Sequence, residues 1–423
     1  MKDSGIEWIG EIPEEWEVTE ISGLYCVRNT KVNDVDYPPL SVTKQGVLPQ
    51  LENVAKSDDH DNRKLVKKGD FVINSRSDRR GACGISKYDG SVSLINIVLQ
   101  PFKKSYNSYY NWLFNTIQFS EEFYKWGHGI VDDLWTTTWQ DMKKIYVPTP
   151  PVYFQQHIAN YLDKKCSEID SLTADIQKQI GILEQYRKSV ITETVTKGLD
   201  PNVKMKDSGI DWIGEIPEEW EIIKIKNIAF LKGRIGWQGL ESKEYQEEGA
   251  FLITGTDFED GTINWDNCVH ISEQRYYEDK LLHIKENDLL ITKDGTIGKI
   301  AIVKNCPEQA TLNSGVMYIR GNSAYRYLTK YLYYVLMSEE FWEWYNASQR
   351  GNSTIKHLYQ EQFYNFIFSY PSLFEQQQIA LSLDSKCSKL DKLISLKNQQ
   401  LETLMQYKKS LIYEYVTGKR EVN

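Results

Sequence analysis

Met1–Val18 reads MKDSGIEWIGEIPEEWEV, and Met205–Ile222 reads MKDSGIDWIGEIPEEWEI. Sixteen of the eighteen positions are identical, and the two exchanges, Glu7/Asp211 and Val18/Ile222, keep their chemistry. A repeat of this length divides the chain into two units that begin alike. A second pair of segments repeats as well. Ile158-Ala159, Cys166, Asp170, Gln185-Tyr186, Lys188-Ser189 and Ile191 return as Ile379-Ala380, Cys387, Asp391, Gln406-Tyr407, Lys409-Ser410 and Ile412. The opening boxes are offset by 204 residues and the later segments by 221, so the second unit holds 17 more residues between its ends.

A chain of 423 residues has room for two or three domains, each with its own core. No run of 18 apolar residues occurs and the start is charged and Trp-bearing, which argues against a transmembrane helix or signal peptide and leads to the expectation of a cytoplasmic protein. The six cysteines form no CxxC pair, so reduced thiols are expected rather than a disulfide frame or a zinc site. A formal charge of -9 argues against nonspecific polyanion binding but leaves room for local basic patches.

Pro13 and the earlier Gly10 favour an extended or turning backbone, Trp16 and Val18 are matched by Trp220 and Ile222, and Trp8 and Trp16 are expected to anchor the box against its own unit. The middles that follow read as short strands. Asp70-Phe71-Val72-Ile73 reads as a buried strand delivering residues 74–81, Asn-Ser-Arg-Ser-Asp-Arg-Arg-Gly, and Asp288-Leu289-Leu290-Ile291 delivers residues 292–299, Thr-Lys-Asp-Gly-Thr-Ile-Gly-Lys. The expected architecture is α+β: mixed α/β recognition regions at residues 1–150 and 199–370, and long helices at 151–198 and 371–420.

Those helices carry seven-residue periodicity. Leu162, Ile169, Ile176, Leu183 and Val190 recur with Lys165, Leu172, Gln179 and Tyr186 at the half-steps. The second run has Leu383, Leu390, Lys397, Leu404 and Leu411, with Lys386, Leu393, Gln400 and Tyr407 between them. This fits a coiled-coil seam, with an amphipathic helix on a globular core as the other reading. Two such helices in one chain are expected to pair antiparallel, each spanning roughly 60 Å at ~1.5 Å per residue.

No phosphate loop, glycine-rich cofactor fingerprint, HExxH or His/Cys cluster is present, and Glu241-Ser242-Lys243 is too common a triplet to mark a nuclease. The expected catalytic and metal residues are none. What remains is recognition chemistry. Arg76, Arg79 and Arg80 follow one strand, where guanidinium forks read guanine edges or clamp phosphates; Lys293, Thr296 and Lys299 follow its counterpart. Lys44, His128, Arg234, Trp237, Arg350 and Lys356 lie in loops of similar kind and complete the candidate DNA-binding set. Solvated surface charge is the competing reading of each.

The combination of the repeated WIGEIPEEWE box, the strand followed by Thr-Lys-Asp-Gly-Thr-Ile-Gly-Lys, residues 351–358 (Gly-Asn-Ser-Thr-Ile-Lys-His-Leu) and the repeated Gln-Gln-x-Ile-Ala helix start resembles the specificity subunits of type I restriction-modification systems along the whole chain. Unit one departs from the pattern at residues 74–81 and 129–134. The resemblance implies a non-catalytic subunit whose two target recognition domains read an asymmetric split DNA site, with the helices as spacer. It implies two modification subunits that methylate adenine with S-adenosylmethionine, and restriction subunits that use ATP and Mg. A heptad inserted after Leu172 is then expected to change the site's spacing or abolish assembly, while leaving each domain's half-site preference intact. The rival readings are a coiled-coil scaffold for protein partners and a specificity subunit of another restriction class.

Overall fold

The computed structural model describes residues 1–50, 60–102, 105–129, 135–234, 240–322, 327–349 and 357–422. The chain forms two compact units, Met1–Gln177 with Asn398–Asn423, and Lys178–Lys397. Each combines an opening box, a recognition region, the start of one long helix and the end of the other.

The box forms a small hairpin, Lys2–Asp3 with Glu11–Ile12 in unit 1 and Met205–Asp207 with Glu215–Pro217 in unit 2. The strand after it, Glu17–Glu20 or Glu221–Lys224, pairs antiparallel with the strand entering the long helix, Tyr146–Thr149 or Ile367–Tyr370. Both ends of each recognition region are thereby held together. Trp8 is partly buried, Trp16 is buried as expected, and Trp220, the counterpart of Trp16, is buried as well. Each lies against the glycine that ends a long helix: Trp220 against Gly198 and Trp16 against Gly418, both glycines at positive φ. A left-handed residue closes the helix, and a side chain there would meet the box.

In unit 1, β1 (Tyr25–Val27), β2 (Phe71–Asn74), β3 (Cys83–Ile85) and β4 (Asn96–Pro101) form an antiparallel sheet in the order β3-β2-β4-β1. In unit 2, β5 (Ala229–Gly233), β6 (Leu289–Thr292), β7 (Ile300–Ile302) and β8 (Val316–Gly321) repeat it as β7-β6-β8-β5. Strands β2 and β6 are buried throughout because the sheet has a core on each face. Phe71 and Ile73 join one core and Val72 the other; Leu289 and Ile291 likewise part from Leu290. Two-sided burial explains an unbroken apolar run instead of alternation.

The turn into each of these strands is built alike. Gly69 and Asn287 take positive φ, and the next residue, Asp70 or Asp288, accepts the backbone N–H of Lys67 at 2.9 Å or Lys285 at 2.8 Å. Both carboxylates are buried, and each takes two hydrogen bonds from one arginine: Arg28 from beyond β1 and Arg320 from within β8. The carboxylate recurs at one place in the fold while its partner comes from a different strand.

The first long helix is Val152–Lys197 and the second Leu373–Val416. Each start is clamped by a buried glutamine: Gln155 donates to Pro150 O at 2.7 Å and accepts from Tyr106 N, and Gln376 donates to Pro371 O at 3.0 Å and accepts from Leu328 N. Within unit 1 the helix portions run antiparallel, Tyr161 stacking near Tyr415 and Asp170 receiving Lys408. In unit 2 Arg187 meets Asp391 at 3.0 Å.

The seam differs from expectation by one position. Leu162, Ile169, Ile176, Leu383, Leu390 and Leu411 are buried, and Leu183 and Leu404 half-buried, but Leu172 and Leu393 are 48% and 47% exposed. The inward layer between falls on Cys166, Thr173, Ile180 and Arg187, and on Cys387, Ile394, Leu401 and Lys408. A seven-residue row is compatible with a companion either three or four positions later; helix rotation selects the latter here.

Candidate nucleic-acid interface

Each fully buried strand ends in a hairpin loop stitched at one residue. In unit 1 that residue is Ser75: its N–H donates to Ile95 O at 3.2 Å, its hydroxyl donates to the same carbonyl, and its own carbonyl accepts Thr137 N at 3.0 Å. In unit 2 it is Lys293, whose N–H donates to Gly315 O at 2.8 Å and whose carbonyl accepts Leu358 N at 3.0 Å. The two loops therefore leave the same place in the same fold. Sequence reasoning matched them as strand ends but missed Ser75, Thr137 and Leu358, whose backbone roles leave no residue-type signal.

The side chains they carry are arranged differently. In unit 1 the loop contains the 3-10 turn Ser77–Arg79, and Asn74 Oδ1 accepts Arg76 N at 3.1 Å. Asp78 lies between two guanidiniums, 3.2 Å from Arg76 and 3.8 Å from Arg79, and Arg79 is 68% exposed. Arg80 is exposed with its guanidinium 5.4 Å from the centre of the Tyr124 ring, and the Tyr124 hydroxyl donates to Asn74 O. All three arginines thus reach solvent from one short turn. His128 pairs through its backbone with Thr136, which also bridges Arg76, and its exposed ring lies 3.4 Å from Asp141. Lys44 is exposed in the turn between Leu40–Thr43 and Gly46–Pro49.

In unit 2 the cations point inward. Lys293 Nζ donates to Arg234 O at 3.2 Å and Lys299 Nζ to Gly255 O at 3.0 Å. Burial lowers the Lys293 ammonium below its ordinary value, with Asp294 opposing. Arg234 departs from the expected contact role: it is 4% exposed and donates to Leu312 O at 2.9 Å, and burial lowers its value too. Its position among loop glycines and aromatics did not reveal that the backbone folds over it. The loop is further fixed by Thr292 Oγ1, which accepts Lys299 N and donates to Thr296 O, and by a hydrogen bond between His357 and Asp294. Gly298 takes a positive φ against Trp342, where an added Cβ would lie 2.5 Å from the ring. Gly295 and Thr296 form the exposed tip. The candidates Trp237, Arg350 and Lys356 lie outside the described residues.

Comparison with known proteins agrees with this duplicated plan. The family profile described as type I restriction modification DNA specificity domain matches residues 13–181 and again 217–406. The type I restriction enzyme MjaVIII specificity subunit of Methanocaldococcus jannaschii is 26% identical over 430 residues, covering 97% of this chain and 94% of that one. The EcoBI specificity subunit of Escherichia coli is 24% identical over 276 residues, covering 64% and 58%. Among solved structures, a chain from work on complex assembly and conformational transition of the type I R-M system superposes with a TM-score of 0.72 at 13% identity, covering 97% of this chain and all of that one. The HsdS subunit from Thermoanaerobacter tengcongensis gives 0.53 at 13% identity, covering 99% and 100%. The chain belongs to the type I restriction-modification DNA specificity family, as a specificity subunit with two repeated target recognition domains.

Proposed function

We propose that this subunit reads an asymmetric bipartite site in double-stranded DNA, one half with each recognition domain, and scaffolds two modification subunits together with restriction subunits in the cytoplasm. The carrying observation is the pair of hairpin loops: one stitch point, one sheet topology, two unlike sets of side chains. Equivalent elements with different chemistry suit two different half-sites. Arg76, Arg79 and Arg80, with Lys44 and His128 nearby in kind, serve the first; Thr296 at the tip serves the second, braced by Lys293 and Lys299, with Trp237, Arg350 and Lys356 as further contacts. Chemistry belongs to the partners, through S-adenosylmethionine on the modification subunits and ATP and Mg on the restriction subunits.

The scaffold role rests on the helix row displaced from the seam. Lys165, Leu172, Gln179 and Tyr186 recur identically as Lys386, Leu393, Gln400 and Tyr407, and both leucines and both tyrosines stay about half exposed. Exposed apolar residues kept in both copies suit protein partners that meet both helices. The test is a methylation map of DNA from cells carrying the chain with its modification subunit, against cells lacking the chain. Adenine methylation at one asymmetric split motif, lost with the chain, is expected. A motif that persists without the chain would overturn the proposal.

A further inference from the structure

We infer that Leu94 and Ile95 form an apolar reading tip that contacts the C5 methyl group of a thymine in the half-site read by unit 1. The inference rests on the DNA-reading role proposed above and assigns part of its chemistry. Leu94 and Ile95 occupy the centre of a tight turn between Ser93 and Asn96 and are each 41% exposed. Asn96 N donates to Ser93 O at 3.1 Å, its side-chain amide donates to Ser93 Oγ at 3.0 Å, and Lys64 Nζ donates to Asn96 O at 2.6 Å. The turn is therefore held from three directions.

Two features separate this tip from ordinary exposed apolar residues. Turn centres favour Gly, Pro, Asn, Asp and Ser, and the corresponding turn of unit 2 has Ser314 and Gly315. A leucine and a β-branched isoleucine stand here instead, at a position where the fold does not require them. The second feature is location. Ile95 O is the carbonyl that receives both the N–H and the hydroxyl of Ser75, so the tip is tied to the residue preceding Arg76. The aliphatic turn and the arginine loop are thus joined through Ser75, one residue before Arg76. The major groove offers matching partners: acceptor pairs on guanine for arginine, and the thymine methyl as its apolar feature. An apolar protein partner would gain nothing from the neighbouring guanidiniums, whereas a base pair step containing guanine and thymine uses both.

The test replaces each thymine of the unit 1 half-site in turn by deoxyuridine, which removes only the methyl group, in DNA bound by the chain assembled with its modification subunits. Affinity is expected to fall about three- to tenfold at one position, the scale of one buried methyl group. The L94S/I95G variant, which carries the unit 2 tip, is expected to lose that difference while still assembling. Binding indifferent to uracil at every position overturns the inference and leaves the general DNA reading intact. So does a variant that keeps the discrimination, or one that loses assembly, which would make the tip a protein contact. Should the variant fail to fold, the deoxyuridine series on the natural chain decides alone. Absence of any sequence preference in the natural assembly would instead sink the DNA-reading role itself.

Discussion

The loop at residues 75–81 and the loop at 293–299 start from equivalent stitches in equivalent sheets, yet they use charge in opposite ways. The first holds three arginines toward solvent, Arg76 and Arg79 beside Asp78 and Arg80 over the Tyr124 ring. The second turns its lysines onto the carbonyls of Arg234 and Gly255 and offers a Gly-Thr tip. A basic residue in such a loop is therefore either left exposed, as the proposed reading role requires, or used as a brace. Guanidiniums at the surface retain N–H groups beyond those facing Asp78; an ammonium donating to a backbone carbonyl has already committed one of its own and stiffens the loop.

The largest expected effect tests what the units share. Asp70→Ala and Asp288→Ala each leave an arginine and a backbone N–H without their buried acceptor, and each is expected to destabilise its own unit by about 3 kcal/mol, read by hydrogen exchange in the full chain. Similar losses in both units would support a common frame; a loss confined to one would break the equivalence.

A smaller effect separates the units by pH. Glu122 is partly exposed and accepts the Trp126 indole N–H, whereas Glu340, at the corresponding place in unit 2, is buried, with Ser369 N donating to Oε1 at 3.3 Å and Oε2 lacking a partner among the described residues. Burial pushes the Glu340 carboxyl up to about 8, with the Ser369 hydrogen bond opposing. A folded value raised above the ordinary 4.5 means that the proton is held more tightly in the fold, so unit 2 keeps its full stability below that pH and loses it as pH rises toward 8. Glu340→Gln is expected to match the natural chain at pH 4 and to exceed it by about 2 kcal/mol at pH 8.5. Equal pH profiles for the natural chain and Glu340→Gln would refute this difference.

The reader and brace distinction gives the next test. Arg79→Ala is expected to weaken specific binding by about 1–3 kcal/mol if the arginine reads a base, with unit 1 stability unchanged. Lys293→Met is expected to cost about 1 kcal/mol of unit 2 stability, since it removes the donor to Arg234 O, and to affect binding only through the loop. A stable Lys293→Met chain that loses its second half-site would make Lys293 a reader.

The smallest expected effect distinguishes the two helix rows. Leu172→Ser and Leu393→Ser should change stability by no more than about 0.5 kcal/mol while weakening capture of the modification subunit. Leu390→Ala, in the buried seam, should cost about 2–5 kcal/mol. A large loss at Leu172 would restore the unshifted seam.

Particular residues show how far the sequence could be read. Trp16 was legible as an anchor because it stands in an almost unchanged repeated box, and β2 and β6 because three apolar residues in a row after an aspartate need burial on two faces. The arginine loop was legible as a cluster. Arg234 was not legible, since its burial depends on Leu312, remote in sequence. The turn at Leu94 and Ile95 was not legible, since an apolar pair after a strand looks like more strand until its turn geometry is known.

By itself the sequence determined the duplication, the two long helices, the strands that deliver the loops and the family. Those are properties of identity and period, carried by residues near one another along the chain. Tertiary structure alone decided which helix row is buried, which cations are braces, and that each unit takes the end of the other unit's long helix. The reason is physical: burial and hydrogen-bond partnership belong to pairs of distant segments, and a helix rotated by one residue or a backbone folded over a guanidinium leaves composition and period unchanged.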